Sequence, residues 1–235
     1  SMNLLAFDTS TETLSIAVQR GDRVWEHSGP GGAQASTTLI TAVRKLLDEA
    51  GLDLGQLDAL VFGRGPGSFT GLRTACAVAQ GLAWGANAGR GIPVLPIDTL
   101  AAVAEQARDM HGCCDVVAVL DARMNEVYAA PYQWQAGAWK SQGALGLSAP
   151  EYVQVPPGWT VAGNAQAAYG ERLAPGAGHV HALPTATALL RLAPHLLAAG
   201  QAVLAADALP LYVRDKVAQT TAERAAAKAA LTTPG

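Results

Sequence analysis

The sequence predicts an α/β protein built from two similar lobes, and three observations carry that prediction. Val61-Phe62-Gly63-Arg64-Gly65-Pro66-Gly67-Ser68-Phe69-Thr70-Gly71-Leu72-Arg73 reads as the end of a buried strand, a glycine-dense turn and the first turn of a helix. Leu4 to Val18 reads as strand, polar turn, strand, and hence a hairpin. Overlaying Asp8 on Asp121 aligns a second such unit: each aspartate ends an apolar run and is followed by an apolar residue, Leu14 or Val127. An internal repeat near half the chain length points to duplication.

The elements follow in order. Ala35 to Ala50 places Leu39, Ile40, Val43, Leu46, Leu47 and Ala50 at helical spacing, with Arg44, Lys45, Asp48 and Glu49 opposite and Gly51 positioned to end the helix. Leu60-Val61-Phe62 is a buried strand. A second helix runs from about Phe69 to Trp84 and is apolar nearly all the way round, which marks a helix covered on more than one side. Pro93 to Ile97 is the next strand, and Asp98 or Thr99 caps a helix through about Ala107. From Trp134 to Gly158 periodicity is weak. Trp159 to Ala162 reads as a strand with Gly163-Asn164 as its turn. Thr187 to Ala199 is helical, interrupted or restarted at Pro194. Ala218 to Gly235 is either a marginal solvent helix or a disordered tail. The expected division is residues 1–112, 113–217 and a tail at 218–235.

Composition narrows the functional class. At 235 residues the chain forms one two-lobed domain or two small ones. Half its residues are apolar and 15% are charged, as suits a well-buried globular protein. A net charge of −3 without a Lys/Arg run argues against a protein that grips nucleic acid alone. Three cysteines, Cys76, Cys113 and Cys114, give neither a paired framework nor a Cys-x-x-Cys spacing. Cys76 reads as a small core residue, and the vicinal pair as inert under reducing conditions. No basic segment followed by an apolar run appears near Met2, so a cytoplasmic protein is expected. Thr74 to Gly89 is too short and polar to span a bilayer.

The glycine loop is not a standard nucleotide motif. No Lys-Ser/Thr pair closes it, and Ser68 stands where a dinucleotide fingerprint requires glycine. Gly63, Gly65, Pro66, Gly67 and Ser68 therefore read as a shaped structural loop, with Gly67 expected to need φ > 0. Ser68 lacks a Gly-x-Ser-x-Gly elbow and is read as a helix cap. Asp8, Thr9 and Ser10 at the first hairpin turn, with Asp121 at the second, have two readings. They hold Mg²⁺ and a nucleotide, or the aspartates cap their turns. Arg64, Arg73 and Arg123 suit an anion or an intramolecular Arg–Asp pair across the lobes. Of the five histidines, His27, His111, His179, His181 and His195, none makes an i, i+4 pair, and His179-x-His181 reads as a surface loop. No metal site or cofactor is expected. On the second helix Gly71, Ala75 and Ala79 form one small ridge, and Ala77, Gly81 and Gly85 another; one face covers the sheet and the other is either covered by the first helix or open to a partner.

With Leu120-Asp121-Ala122-Arg123-Met124-Asn125-Glu126-Val127-Tyr128 and Pro210-Leu211-Tyr212-Val213-Arg214-Asp215-Lys216-Val217-Ala218, the hairpin and glycine loop make four blocks that resemble the TsaB (YeaZ) family over residues 4–218. The resemblance implies a duplicated actin/Hsp70/sugar-kinase-like fold, each lobe a mixed sheet flanked by helices. It implies a non-catalytic subunit that binds and activates TsaD, which threonylcarbamoylates N6 of the adenosine beside the anticodon of ANN-decoding tRNAs. The catalytic relative has paired histidines where Gln34-Ala35-Ser36-Thr37-Thr38-Leu39 has none. The implied partners are TsaD, TsaE through the complex, a second copy when alone, and tRNA only through the complex; no membrane is involved. The implied interface lies on the second helix at Gly71, Ala75, Val78, Ala79 and Leu82. The competing class is an ATP-dependent phosphotransferase of the same fold, using Asp8 and Asp121 around Mg-ATP.

Overall fold

The computed structural model describes residues 2–32, 34–87 and 90–212. These residues divide into two compact units, one running to Gln106 and including Leu183–Leu211, the other comprising Ala107–Ala182 with Tyr212. The expected second lobe at 113–217 differs from this division, because the helix near residue 190 returns to the first unit. The expected tail at 218–235 lies outside the described residues.

In the first unit, β1 (Asn3–Asp8) and β2 (Thr13–Arg20) form the expected hairpin, and β3 (Arg23–Pro30) extends it. Parallel strands β4 (Ala59–Gly65) and β5 (Val94–Asp98) complete a mixed sheet in the order β3-β2-β1-β4-β5. Strand β3 is absent from the sequence reading for a physical reason. It is an edge strand, exposed at most positions, so burial imposes no alternation on it.

Alternation on β1 sorts the helices onto two faces. Leu5 and Phe7 point to one face with Leu14, Ile16, Leu60 and Phe62, under α1 (Ala35–Ala50) and α2 (Phe69–Gly85). Leu4 and Ala6 point to the other with Ala17, Val61, Leu95 and Ile97, under α3 (Thr99–His111) and α5 (Ala186–Ala198). Helix α1 keeps its predicted bounds, and Gly51 ends it at φ 66 in the left-handed conformation. Helix α5 belongs to this unit because Ala188, Leu189 and Ala193 fill the second face of the sheet. It runs unbroken through Pro194.

The second unit repeats the plan. Strands β6 (Asp115–Arg123) and β7 (Glu126–Gln135) form a hairpin, β8 (Ala138–Ser141) extends it, and β9 (Gly146–Ser148) pairs with β7. Parallel β10 (Thr160–Gly163) and β11 (Gly178–His181) give the order β11-β10-β6-β7-β8. Read outward from the first hairpin strand, both sheets have one topology. The short helix α4 (Gln166–Tyr169) follows β10 where the 17-residue α2 follows β4. His179 and His181 lie on strand β11, correcting the loop reading: parallel pairing to β10 supplies the order their polar sequence does not advertise.

Candidate functional site

The glycine loop earns its composition from close backbone approach to the Asp8 turn. Asp8 is fully buried at the end of β1, and its Oδ1 accepts from the Ser10 amide at 2.9 Å and the Ser10 hydroxyl at 2.6 Å. The Ser10 carbonyl accepts from the Ser68 amide at 2.8 Å, and the Thr9 hydroxyl donates to the Gly71 carbonyl at 2.6 Å. A Cβ on Gly63 would lie 1.8 Å from Asp8 Oδ2; on Gly67, 2.5 Å from the Ser10 Cβ; on Gly71, 1.8 Å from the Thr9 carbonyl oxygen. Gly67 is thus required by proximity and not by positive φ, which corrects the expectation; Gly65 has φ 119. Pro66 follows it through a cis peptide bond. Ser68 caps α2, its hydroxyl accepting from the Gly71 amide at 3.0 Å.

Asp8 Oδ1 and the Thr9 and Ser10 hydroxyls bond inside this clasp, and the three residues are at most 3% exposed. The turn-capping reading of Asp8 fits the two bonds to its Oδ1. Oδ2 of Asp8 has no hydrogen-bond partner. Burial pushes the carboxyl up to about 6, against the opposing pull of the Ser10 bonds.

Asp121 makes the same i+2 turn in the second unit, its Oδ1 accepting from the Arg123 amide at 2.8 Å. Tyr169 donates to that oxygen at 2.7 Å and to the Glu126 carbonyl at 3.2 Å. Burial, then the bond to Asp121, pushes the phenol up to about 12, so it remains a donor at physiological pH. Asn164 accepts from the Asp121 amide at 2.8 Å. Arg123, Met124 and Asn125 all have positive φ, and Arg172 bonds both Asn125 and Glu151. Sequence reasoning missed Tyr169. Its signal is a lone aromatic in a polar, glycine-flanked segment.

The expected interface residues sit mostly inside the first unit. Ala75 and Ala79 are 0% exposed and Val78 is 8% exposed; Gly71 rests on Thr9, and Leu82 packs against the core. The ridge chosen from sequence faces the sheet, where Ala75 and Ala79 join Cys76, Val78 and Ala83 in one core cluster with Leu60 and Phe62 of β4. The outward face carries Phe69, Arg73, Ala77, Gly81, Trp84 and Gly85. Phe69 is 51% and Trp84 69% exposed, and the Arg73 guanidinium lies 3.9 Å from the Phe69 ring centroid. Trp84 was legible from sequence by helical spacing from Ala77 and Gly81.

The remaining candidates have local roles. Arg64 pairs with Asp98 at 2.6 Å within the first unit, and not across the lobes as the Arg–Asp reading expects, because the two side chains leave neighbouring parallel strands β4 and β5. Buried Cys76 donates to the Ala208 carbonyl at 3.1 Å. Cys113 is half-buried and Cys114 exposed, and burial raises the Cys113 thiol above its ordinary range. Among the described residues no three His, Cys, Asp or Glu side chains gather to hold a metal ion, and no helix is long and apolar enough to cross a membrane.

Two mixed sheets of one topology, each flanked by helices, define an actin/Hsp70/sugar-kinase-like protein. The family model described as TsaD, tRNA N6-adenosine threonylcarbamoyltransferase, matches residues 30–232. The tRNA threonylcarbamoyladenosine biosynthesis protein TsaB of Escherichia coli is 34% identical over 228 residues, covering 92% of this chain and 96% of that protein. The TsaB protein of Haemophilus influenzae is 46% identical over 130 residues, and that match spans 52% of its length. A Pseudomonas aeruginosa crystal structure, described as an uncharacterized protein with similarity to peptidase YeaZ, superposes with a TM-score of 0.83 at 42% identity, over 91% of this chain and 100% of that one. The chain belongs to the TsaB (YeaZ) family.

Proposed function

We propose that this chain is a non-catalytic subunit in the biosynthesis of threonylcarbamoyladenosine in tRNA, and that it binds TsaD through the outward face of α2. The relatives named for that pathway support the role. The observation that carries the mode of action is the outward stripe of α2. There two exposed aromatics, Phe69 and Trp84, bracket Ala77 and Gly81, which let another helix approach closely. In this reading a second copy occupies the same face when TsaD is absent, TsaE joins only through the complex, and tRNA is contacted only through the complex. The net charge of −3 favours that last point, since a chain gripping tRNA alone needs clustered positive charge.

Co-elution with TsaD on size exclusion tests the reading. Trp84→Asp and Gly81→Arg are each expected to abolish co-elution, with circular dichroism unchanged because both positions are exposed. Folded variants that still co-elute with TsaD overturn it. The phosphotransferase reading finds no support in Asp8, whose carboxyl is enclosed by its own turn.

A further inference from the structure

We propose that Asp8 is the positioning residue for the partner-facing helix: its carboxyl holds the Thr9–Ser10 turn, and that turn holds the first turn of α2. The proposal rests on the reading of α2 as the partner surface. The contacts form one continuous chain. Asp8 Oδ1 takes both Ser10 bonds, the Ser10 carbonyl takes the Ser68 amide, and Ser68 caps α2 at Gly71. Thr9 ties the same turn to the Gly71 carbonyl. Displacing Ser10 therefore displaces Ser68 and Gly71, and the outward stripe begins one residue after Ser68, at Phe69.

A buried carboxyl with one unpartnered oxygen is a costly way to hold a turn, and such a group calls for an explanation. Its surroundings supply no counter-charge. Ser10 in its own turn, Ser15 opposite on β2, Gly63 on β4 and Thr99 at the start of α3 are all uncharged. The charged neighbours on β4 and β5, Arg64 and Asp98, are paired with each other. The carboxylate's strength as an acceptor is thus directed wholly into Ser10, where charge-assisted bonds exceed what a neutral side chain provides. A change of charge on Asp8 therefore acts on the Ser10 bonds first, and through them on the first turn of α2.

The full chain, free and with TsaD, provides the test. At about pH 7.5, Asp8→Ala is expected to weaken TsaD binding about tenfold or more, whereas Asp8→Asn, which keeps the Oδ1 acceptor, stays within about threefold of wild type. In wild type, the Ser10, Ser68 and Gly71 amide resonances are expected to titrate together with a midpoint of about 6, and to lose that titration in Asp8→Asn. The resonance test needs no folded Asp8→Ala protein. Ser68 and Gly71 resonances that ignore the Ser10 titration overturn the proposal. So does a folded Asp8→Ala chain that binds TsaD as wild type does. A wild-type chain that binds no TsaD overturns the partner reading of α2 as well, which separates the two failures.

Discussion

In the first unit the hairpin aspartate, Asp8, is joined to the helix after the parallel strand through backbone; in the second, Asp121 reaches the corresponding helix through the side chain of Tyr169. Main chains come so close that Gly67 and Gly71 have no room for a Cβ, and the Asp8 carboxyl fills that space at Gly63. In the second unit Tyr169 reaches Asp121 from its helix by a side chain, and the glycine forced by close approach is Gly163 on β10, where a Cβ would lie 1.7 Å from the Val119 carbonyl oxygen. One topology thus carries two different couplings. The first registers a long helix with an exposed aromatic stripe. The second anchors a helix of four residues.

The sharpest way to break this comparison is to place a methyl group in each unit. Gly71→Ala drives its Cβ toward the Thr9 carbonyl and is expected to destabilise the protein by about 3–5 kcal/mol. Gly178→Ala in β11 meets nothing within 4 Å and is expected to change stability by less than about 0.5 kcal/mol. Thermal unfolding followed by circular dichroism compares them. A Gly71→Ala protein as stable as Gly178→Ala removes the case for backbone joinery.

Acid titration separates the two couplings next. The folded-state value for Asp8 is raised from 3.8 to about 6, so its protonated form favours folding. The stabilisation is full below the unfolded value and is lost as pH rises through the folded one. Between about pH 4 and pH 7, wild type is expected to lose on the order of 3 kcal/mol relative to Asp8→Asn. Tyr169 stays protonated across this range, so the second coupling contributes no such slope. Parallel stability curves for wild type and Asp8→Asn would refute the buried-carboxyl account.

The same contrast explains what was legible in the sequence. Glycines forced by close approach leave a dense local signature, and the loop at 63–71 was visible at once. The helix α1 was readable because one apolar stripe faces the sheet and Gly51 ends it. Strands β3 and β8 were not readable, since edge strands carry no burial alternation. Tyr169 was hidden because a side-chain bond between residues 48 apart in sequence leaves no local pattern. The orientation of α2 was misread for a related reason. Both small ridges are compatible with close packing, and only the sheet beneath decides that Ala75 and Ala79 turn inward while Ala77 and Gly81 turn out.

Tyr169→Phe probes the second coupling directly. It removes the donor to Asp121 and to the Glu126 carbonyl while keeping the ring, and about 1–2 kcal/mol is expected to be lost. The loss should be the same at pH 5 and pH 8, since the Tyr169 phenol stays protonated across that range. A pH-dependent penalty would place a titrating group in the second coupling and erase the distinction from Asp8.

Ser68→Ala is the mildest cut into the first coupling. It removes the hydroxyl that accepts from the Gly71 amide but leaves the backbone bonds from Ser68 to Ser10 and from Leu72 to Ser68 intact. The expected cost is that of an N-cap, about 1 kcal/mol, well below that of filling Gly71. TsaD binding should survive, because the Asp8 turn still grips the loop through main chain. The variant therefore divides geometry from chemistry at this serine. Should Ser68→Ala keep full stability and TsaD binding yet fail to support threonylcarbamoyladenosine formation, the hydroxyl has a chemical part that helix capping does not describe.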